Sequence, residues 1–323
     1  MGSDGYIQLP VIDFSMLNYN QNPEATNHLL HWDSIKTQVL ESLQKYGCFQ
    51  ASIDGVPPEL NEAVYGAIKQ LYELPLEVKS KNVSTTMFNG YIGNSTPLPL
   101  YESMGIDEPY VHQQVENFTN LMWPQGNPQV CNDIHIYSKK LREVELMVKK
   151  MVFEIFDLEK HLNEHIELTT YVLKLMKYRA PKPNETYLGL HPHADAGIMT
   201  ILHQNEVEGL EIQMKDEEEW LKVKLSPNLF TIMAGETLNV WLNGRLHAPL
   251  HRVMLKGNTD RFSLALFALP KIGYTLKAVE EMVDEEHPLL FKPFDYGEFV
   301  KFLFTVGRPI DKFAVKSYCG ISY

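Results

Sequence analysis

The sequence has few cysteines, no excess of basic residues and no long apolar run. Its three cysteines, Cys48, Cys131 and Cys319, are widely spaced among 323 residues, which favours reduced thiols over a disulfide framework. Acidic residues outnumber basic ones by 41 to 29, and the formal net charge is −12. A surface that binds nucleic acid or anionic lipid needs the opposite sign. Since no apolar stretch approaches the roughly 20 residues of a membrane span, we expect neither nucleic acid nor a membrane as a partner.

The first ten residues, MGSDGYIQLP, contain neither the charged block nor the apolar block of a signal peptide. Together with the reduced cysteines, this predicts a cytoplasmic protein. The chain is 44% hydrophobic, which is enough to bury a large core. We expect a monomer that acts on a small molecule.

The spacing of apolar residues changes near Leu168. Before it, helical spacing predicts a helix capped by Asp33 and ended by Gly47, a helix after Pro57-Pro58, and a long amphipathic helix from about Asn132 to Phe156. Residues 81–130 are rich in Gly, Pro, Asn and Thr, so we expect an irregular region that could form part of a substrate lid.

After Leu168, short β-branched or aromatic segments alternate with turn residues, which is typical of an antiparallel sandwich or barrel. The segments are Thr170–Tyr178, Ile198–His203, Leu210–Met214, Trp220–Leu225, Leu229–Met233, Val253–Leu255 and Arg261–Leu269. The tail is helical again, with Phe299, Val300 and Leu303 as its buried stripe. We therefore predict a mainly β core, a double-stranded β-helix (jelly roll), flanked by N-terminal and C-terminal α-helices.

Two histidines and one aspartate could bind a metal ion. His193 and Asp195 are two residues apart, so on an extended segment their side chains point to the same side. His251, next to another strand-like segment, adds a second imidazole. Two imidazoles and one carboxylate can bind Fe(II) and leave its opposite face open. The His-x-Asp triplet alone is a weak signal of a metal site. A structural zinc site is a poorer fit to these residues, because it needs four ligands, often thiolates, and no cysteine is near.

Arg261 and Ser263 also share one face of a strand. An arginine that points into a β core is costly unless it has an anionic partner, although an edge-strand arginine in solvent would need none. Ser263 and the phenol of Tyr178 could add two hydrogen-bond donors. We expect the three side chains to bind the far carboxylate of 2-oxoglutarate, whose keto and near-carboxylate oxygens would chelate the iron.

Strand alternation also suggests the walls of a substrate pocket. Core packing explains these positions equally well, except that a buried lysine requires an anionic or hydroxylated partner. The expected pocket residues are Lys174, Met176, Ala194, Phe267 and Leu269.

These motifs, taken together, resemble a known family. The Leu9–Asp13 opening, the Gly47–Gln50 segment and the series from Tyr178 to Ser263 are similar to plant soluble 2-oxoglutarate- and Fe(II)-dependent dioxygenases. In this chain Tyr178 lies 15 residues before His193, which precedes His251 by 58, and Arg261 follows by 10. Residues 283–294 and 316–320 resemble the branch of glucosinolate side-chain-modifying dioxygenases, whose relatives act on steroidal alkaloids and auxin.

The resemblance implies three regions: an N-terminal helical and strand region of non-haem dioxygenases at 1–120, the jelly-roll core at 168–272 and a C-terminal helical extension at 273–323. It implies that His193, Asp195 and His251 bind Fe(II), and that Arg261, Ser263 and Tyr178 bind 2-oxoglutarate. O₂ is the second co-substrate and ascorbate the expected reductant. The expected reaction hydroxylates a C–H bond of a plant specialised metabolite or hormone, releasing succinate and CO₂.

Other reactions remain open at this point. Desaturation, ring closure or O-demethylation would follow from the same hydrogen abstraction. A metal-free binding or receptor protein on the same scaffold would need no intact ligand set. A cupin-like isomerase or hydrolase with another divalent metal would give Arg261, Ser263 and Tyr178 no common role.

Overall fold

The computed structural model describes residues 5–17, 26–84, 89–93, 97–215, 218–224, 226, 228–305 and 314–321. The strands are β1 Tyr6–Ile7, β2 Val11–Asp13, β3 Cys48–Ser52, β4 Tyr101–Asp107, β5 Thr169–Tyr178, β6 Leu188–His193, β7 Met199–Gln204, β8 Leu210–Gln213, β9 Trp220–Val223, β10 Phe230–Ala234, β11 Leu250–Met254, β12 Arg261–Pro270, β13 Thr275–Leu276 and β14 Phe294–Asp295. The helices are α1 Thr26–Tyr46, α2 Pro58–Glu73, α3 Leu76–Lys79, α4 His112–Met122, α5 Pro128–Ile155, α6 Leu162–Glu167, α7 Glu236–Trp241, α8 Tyr296–Thr305 and α9 Ala314–Cys319.

Two sheets form a jelly roll. The larger has the strand order β2-β3-β10-β7-β12-β5-β4, and the smaller has the order β1-β9-β8-β11-β6. Met176 and Ala265 of the larger sheet share one buried cluster with Ile212 and Val253 of the smaller sheet. This cluster is the interior of the roll, into which the inward-facing residues of both sheets project.

The outer face of the larger sheet is covered by helices. Leu264 and Leu266 of β12 belong to the same buried cluster as Val39 of α1 and Leu141 of α5. Their neighbour Ala265 belongs to the interior cluster instead. This period-two alternation is the reason that Arg261 and Ser263 of the same strand face the interior of the roll.

The predicted jelly roll with flanking helices is therefore the observed fold class, and the strands after Leu168 lie close to their predicted positions. Gly47 ends α1 as predicted, with a backbone φ of +69°, the left-handed conformation that glycine adopts most readily. A Cβ at this position would lie 2.5 Å from the carbonyl oxygen of His247. In the tail, Phe299 and Leu303 of α8 are buried and Val300 is half-buried.

Two predictions of secondary structure were wrong. Asp33 lies inside α1, which begins at Thr26, so it caps nothing. The region 81–130 is not irregular throughout, because it contains β4 and α4. β4 has little β-propensity in its sequence, but it pairs with β5 along its whole length, so tertiary contact decides its conformation.

β6 was not predicted, since a glycine and a proline interrupt its sequence. β11 begins at Leu250, so His251 lies inside this strand rather than before it. In the described part of the chain, no helix has the length and apolarity needed to cross a membrane.

Candidate active site

The two sequence-distant histidines meet through strand pairing. His193 is the last residue of β6, and His251 is its direct partner on the antiparallel strand β11. Their ring centroids are 4.2 Å apart. Asp195 follows β6 by two residues and places Oδ1 3.6 Å from Nε2 of His193 and 3.8 Å from Nε2 of His251. The three side chains therefore converge on one point.

Backbone carbonyls orient both imidazoles. Nδ1 of His193 lies 2.7 Å from the carbonyl oxygen of His191, and Nδ1 of His251 lies 3.3 Å from that of Pro249. When Nδ1–H donates a hydrogen bond to each carbonyl, Nε2 of each ring is unprotonated. Its lone pair is then available to a metal on the side where Asp195 lies. Metal-binding histidines are commonly oriented in this way.

Asp195 has a partner that the sequence did not reveal. The hydroxyl of Thr200, on β7, donates a hydrogen bond of 2.6 Å to Oδ2 of Asp195. Both residues are buried. The backbone N–H of Glu236 also donates to the carbonyl oxygen of Asp195 at 2.7 Å. No motif marked Thr200, because a threonine in a strand is ordinary and only the fold brings it to the carboxylate.

The donor set fits an iron ion. One ligand atom from each of His193, Asp195 and His251 lies within 4.8 Å of the others, and this is the single such group among the residues that the structure describes. Two nitrogens and one carboxylate oxygen on one side match the facial arrangement of non-haem Fe(II) enzymes. Among the described residues no fourth His, Cys, Asp or Glu joins this group, as a closed four-ligand zinc site would require.

Arg261 is fully buried and lacks a carboxylate partner among the described residues. Its Nη1 lies 3.2 Å from the hydroxyl of Ser263, and its Nη2 donates to Oε1 of Gln204 at 2.6 Å. Its Nε has no hydrogen-bond partner, and burial lowers the pKa of the guanidinium. A buried cation with a free N–H is a site for an anionic ligand.

Tyr178 stands beside Arg261 on the neighbouring strand. The two residues are partners in the pairing of β5 with β12, and the guanidinium carbon is 4.9 Å from the centre of the phenol ring. Burial raises the pKa of the Tyr178 phenol, so the group stays protonated and can donate a hydrogen bond. Gln204, which the sequence did not single out, completes this polar cluster.

A cavity of about 1040 Å³ opens onto the metal site, with His193 and Asp195 in its wall. Lys174, Met176, Phe267 and Leu269 also line it, whereas Ala194, another expected pocket residue, is buried and is not among the lining residues. The phenol of Tyr178 contacts Sδ of Met176 at 3.8 Å. The Arg261 cluster thus adjoins the cavity through Met176.

Comparison with known proteins agrees with this geometry. Residues 169–270 match the 2OG-Fe(II) oxygenase superfamily, and residues 9–125 match the N-terminal region of non-haem dioxygenases in morphine synthesis. A probable 2-oxoglutarate-dependent dioxygenase, AOP1 of Arabidopsis thaliana, is 44% identical over 92% of this chain and 97% of its own length.

Solved structures show the same fold. The dioxygenase for auxin oxidation from rice has a TM-score of 0.78 and 24% identity, over 97% of this chain and 100% of that one. The Arabidopsis thaliana dioxygenase for auxin oxidation, in a binary complex with 2-oxoglutarate, has a TM-score of 0.77 and 25% identity, over 87% of this chain and 100% of that one. This chain belongs to the 2-oxoglutarate- and Fe(II)-dependent oxygenase family and is a 2-oxoglutarate-dependent dioxygenase.

Proposed function

We propose that this enzyme hydroxylates an unactivated C–H bond of a small, largely apolar plant metabolite or hormone that carries one anionic or hydroxyl group. The observation that supports this best is the position of the His193–Asp195–His251 group beside a large cavity, with His193 and Asp195 in the cavity wall. A metal held there would have its open side toward whatever occupies the cavity.

Three ligand atoms would hold Fe(II): Nε2 of His193, Oδ1 of Asp195 and Nε2 of His251. Bound Fe(II), with 2-oxoglutarate and O₂, supplies the oxidising chemistry that releases succinate and CO₂ and leaves one oxygen atom for the substrate. The protein contributes ligands that are already oriented by the carbonyls of His191 and Pro249 and by the hydroxyl of Thr200.

The Arg261 cluster would bind the far carboxylate of 2-oxoglutarate. The unpartnered Nε of Arg261 offers one charge-assisted hydrogen bond. Ser263 and Tyr178 each carry a hydroxyl that can turn toward the same anion, and the raised pKa of Tyr178 keeps its phenol protonated. Binding energy from this remote carboxylate positions the reacting end of the co-substrate.

The cavity wall would select the substrate. Met176, Phe267 and Leu269 give it an apolar lining that excludes water from the reacting carbon. Lys174 lies in the same wall, where an ammonium group can form a charge-assisted hydrogen bond with an acidic or hydroxylated group of a substrate. The relatives from rice and Arabidopsis thaliana oxidise auxin, so a substrate of plant-hormone size fits the proposal.

The test is formation of succinate and of an oxidised product. The enzyme is incubated with plant extract, Fe(II) and ascorbate, and 2-oxoglutarate and O₂ are each supplied or omitted in turn. We expect succinate only when both co-substrates are present, together with a product heavier by one oxygen atom. A product lighter by two hydrogens would instead show desaturation or ring closure. Lack of succinate under every condition would contradict the proposal.

We also propose that the protein acts as a monomer in the cytoplasm and binds neither nucleic acid nor membrane. The net charge of −12 supports the absence of nucleic-acid and membrane binding, because like charge opposes contact with phosphate-rich surfaces. Light scattering should give the mass of one chain, 37.2 kDa. A mass of twice that value would contradict the monomer.

A further inference from the structure

We propose that Thr200 is a positioning residue that holds one oxygen of the Asp195 carboxylate, so that a single oxygen is offered to the metal. This inference rests on the metal site proposed above. The hydroxyl of Thr200 donates to Oδ2 at 2.6 Å, whereas Oδ1 is the oxygen that faces Nε2 of both histidines. Oδ2 is therefore held by the protein, and Oδ1 remains for the metal.

The backbone of Asp195 is fixed independently of its side chain. Its carbonyl oxygen accepts the N–H of Glu236, and the N–H of Gly235 donates to the carbonyl of Ile198 at 2.9 Å. A Cβ at Gly235 would lie only 2.0 Å from the carbonyl oxygen of Gly197, so the backbone at Gly235 packs directly against the backbone at Gly197. With the main chain held, the remaining freedom of Asp195 is rotation about its side-chain bonds.

Thr200 is well placed to stop that rotation. It lies in β7 between two neighbouring strands, opposite Met233 of β10 and Phe267 of β12. The residue is 2% exposed, and its branched Cβ restricts the torsion that aims the hydroxyl. A hydrogen bond from such a donor to a carboxylate is charge-assisted and short.

The separation of the two oxygens has a chemical consequence. A carboxylate that is free to rotate can bind a metal through both oxygens, and it then occupies two positions instead of one. With Oδ2 engaged by Thr200, a metal would keep an additional position for ligands from the cavity side. If the hydrogen bond were structural only, its loss would lower the stability of the fold but leave metal binding unchanged.

The experiment measures Mn(II) binding to the metal-free protein by calorimetry, with no turnover required. Thr200→Val removes the hydroxyl at nearly constant shape, and Thr200→Ser keeps it. Thr231→Val is the matched control, since Thr231 is a buried threonine on the adjacent strand β10. We expect Thr200→Val to weaken Mn(II) binding by about tenfold to a hundredfold. Thr200→Ser and Thr231→Val should bind Mn(II) like the parent.

Thermal unfolding of each variant separates folding from metal binding. If Thr200→Val fails to fold, Thr200→Ala is measured at low temperature in its place. Equal Mn(II) affinity in the parent and in the folded hydroxyl-free variant would overturn the role of Thr200 and leave the metal site standing. Failure of the parent itself to bind Mn(II) would overturn the metal site, and the role of Thr200 with it.

Discussion

His193 and His251 are direct partners in the antiparallel pair of β6 and β11. This pairing joins residues that are 58 positions apart in sequence and sets both rings on the side where Asp195 lies. A slip of one residue in this register would turn His251 to the opposite face of the sheet. The metal site therefore depends on strand register as much as on the identity of its three residues.

Removal of the carboxylate ligand tests the proposed metal site. In Asp195→Ala the two imidazoles remain but no anionic donor faces the metal, so we expect loss of Mn(II) binding and of succinate formation. Glu280→Ala removes a carboxylate that is largely exposed and should change neither. Calorimetry and succinate assays measure both. Full activity of Asp195→Ala would refute the ligand assignment.

Arg261→Lys tests the proposed carboxylate anchor. A lysine keeps the charge but loses the planar fork and the free Nε that can bind a carboxylate. Loss of one hydrogen bond to a charged group costs about 2 kcal/mol, so KM for 2-oxoglutarate should rise roughly thirtyfold. The control is Arg252→Lys, because Arg252 pairs with Glu211. An unchanged KM for 2-oxoglutarate in Arg261→Lys would contradict the anchor.

Much of this site followed from patterns in the sequence. The period of two in β5 and β12 put Tyr178, Arg261 and Ser263 on inward-facing positions, and the observed pairing of Arg261 with Tyr178 agrees with that expectation. The His193-x-Asp195 triplet and His251 marked the candidate metal ligands, although β6 itself was not predicted. Such residues are recognisable because few other roles require their chemistry in that pattern.

Thr200 and Gln204 could not be found in the same way. Both are ordinary strand residues, and each acquires its role only because the fold brings it against a charged group, Asp195 or Arg261. β4 was missed for a similar reason. Its glycine, Gly105, lies against the backbone of Asn89, where a Cβ would approach within 2.1 Å of the carbonyl oxygen. Local propensity does not encode such contacts.

Lys174→Met tests the substrate side of the cavity separately from the cofactor side. The variant removes a cation from the cavity wall but touches neither the metal ligands nor the Arg261 cluster. Mn(II) and 2-oxoglutarate binding should stay at the parent level, while KM for an acidic substrate found in plant extract should rise at least tenfold, as expected for one lost charge-assisted contact. An unchanged substrate KM would remove Lys174 from the binding site.

The thiols of Cys48 and Cys319 should be inert in the native protein. Burial raises the pKa of Cys48 to about 12 and that of Cys319 to about 12, so both remain protonated at pH 8 and cannot react as thiolates. We expect almost no modification of Cys48 and Cys319 by a thiol reagent at pH 8 until the protein is unfolded, when all three cysteines should react. Rapid reaction of the folded protein would contradict the buried positions.

The same raised pKa values predict a loss of stability at high pH. Below the ordinary thiol pKa of 9.0 both states keep the proton, and the stabilisation is complete. As the pH rises above that value, the unfolded chain releases protons that the folded chain retains, so the unfolded state is favoured progressively. Denaturant unfolding between pH 8 and pH 11 measures this trend. In Cys48→Ala, which cannot ionise at that position, the decline should be smaller.

The most direct measurement is a crystal structure of the protein loaded with Mn(II) and 2-oxoglutarate in the absence of substrate. We predict one metal bound by Nε2 of His193, Oδ1 of Asp195 and Nε2 of His251, with a carboxylate of 2-oxoglutarate on Arg261. A metal bound elsewhere, or 2-oxoglutarate held without Arg261, would contradict the account.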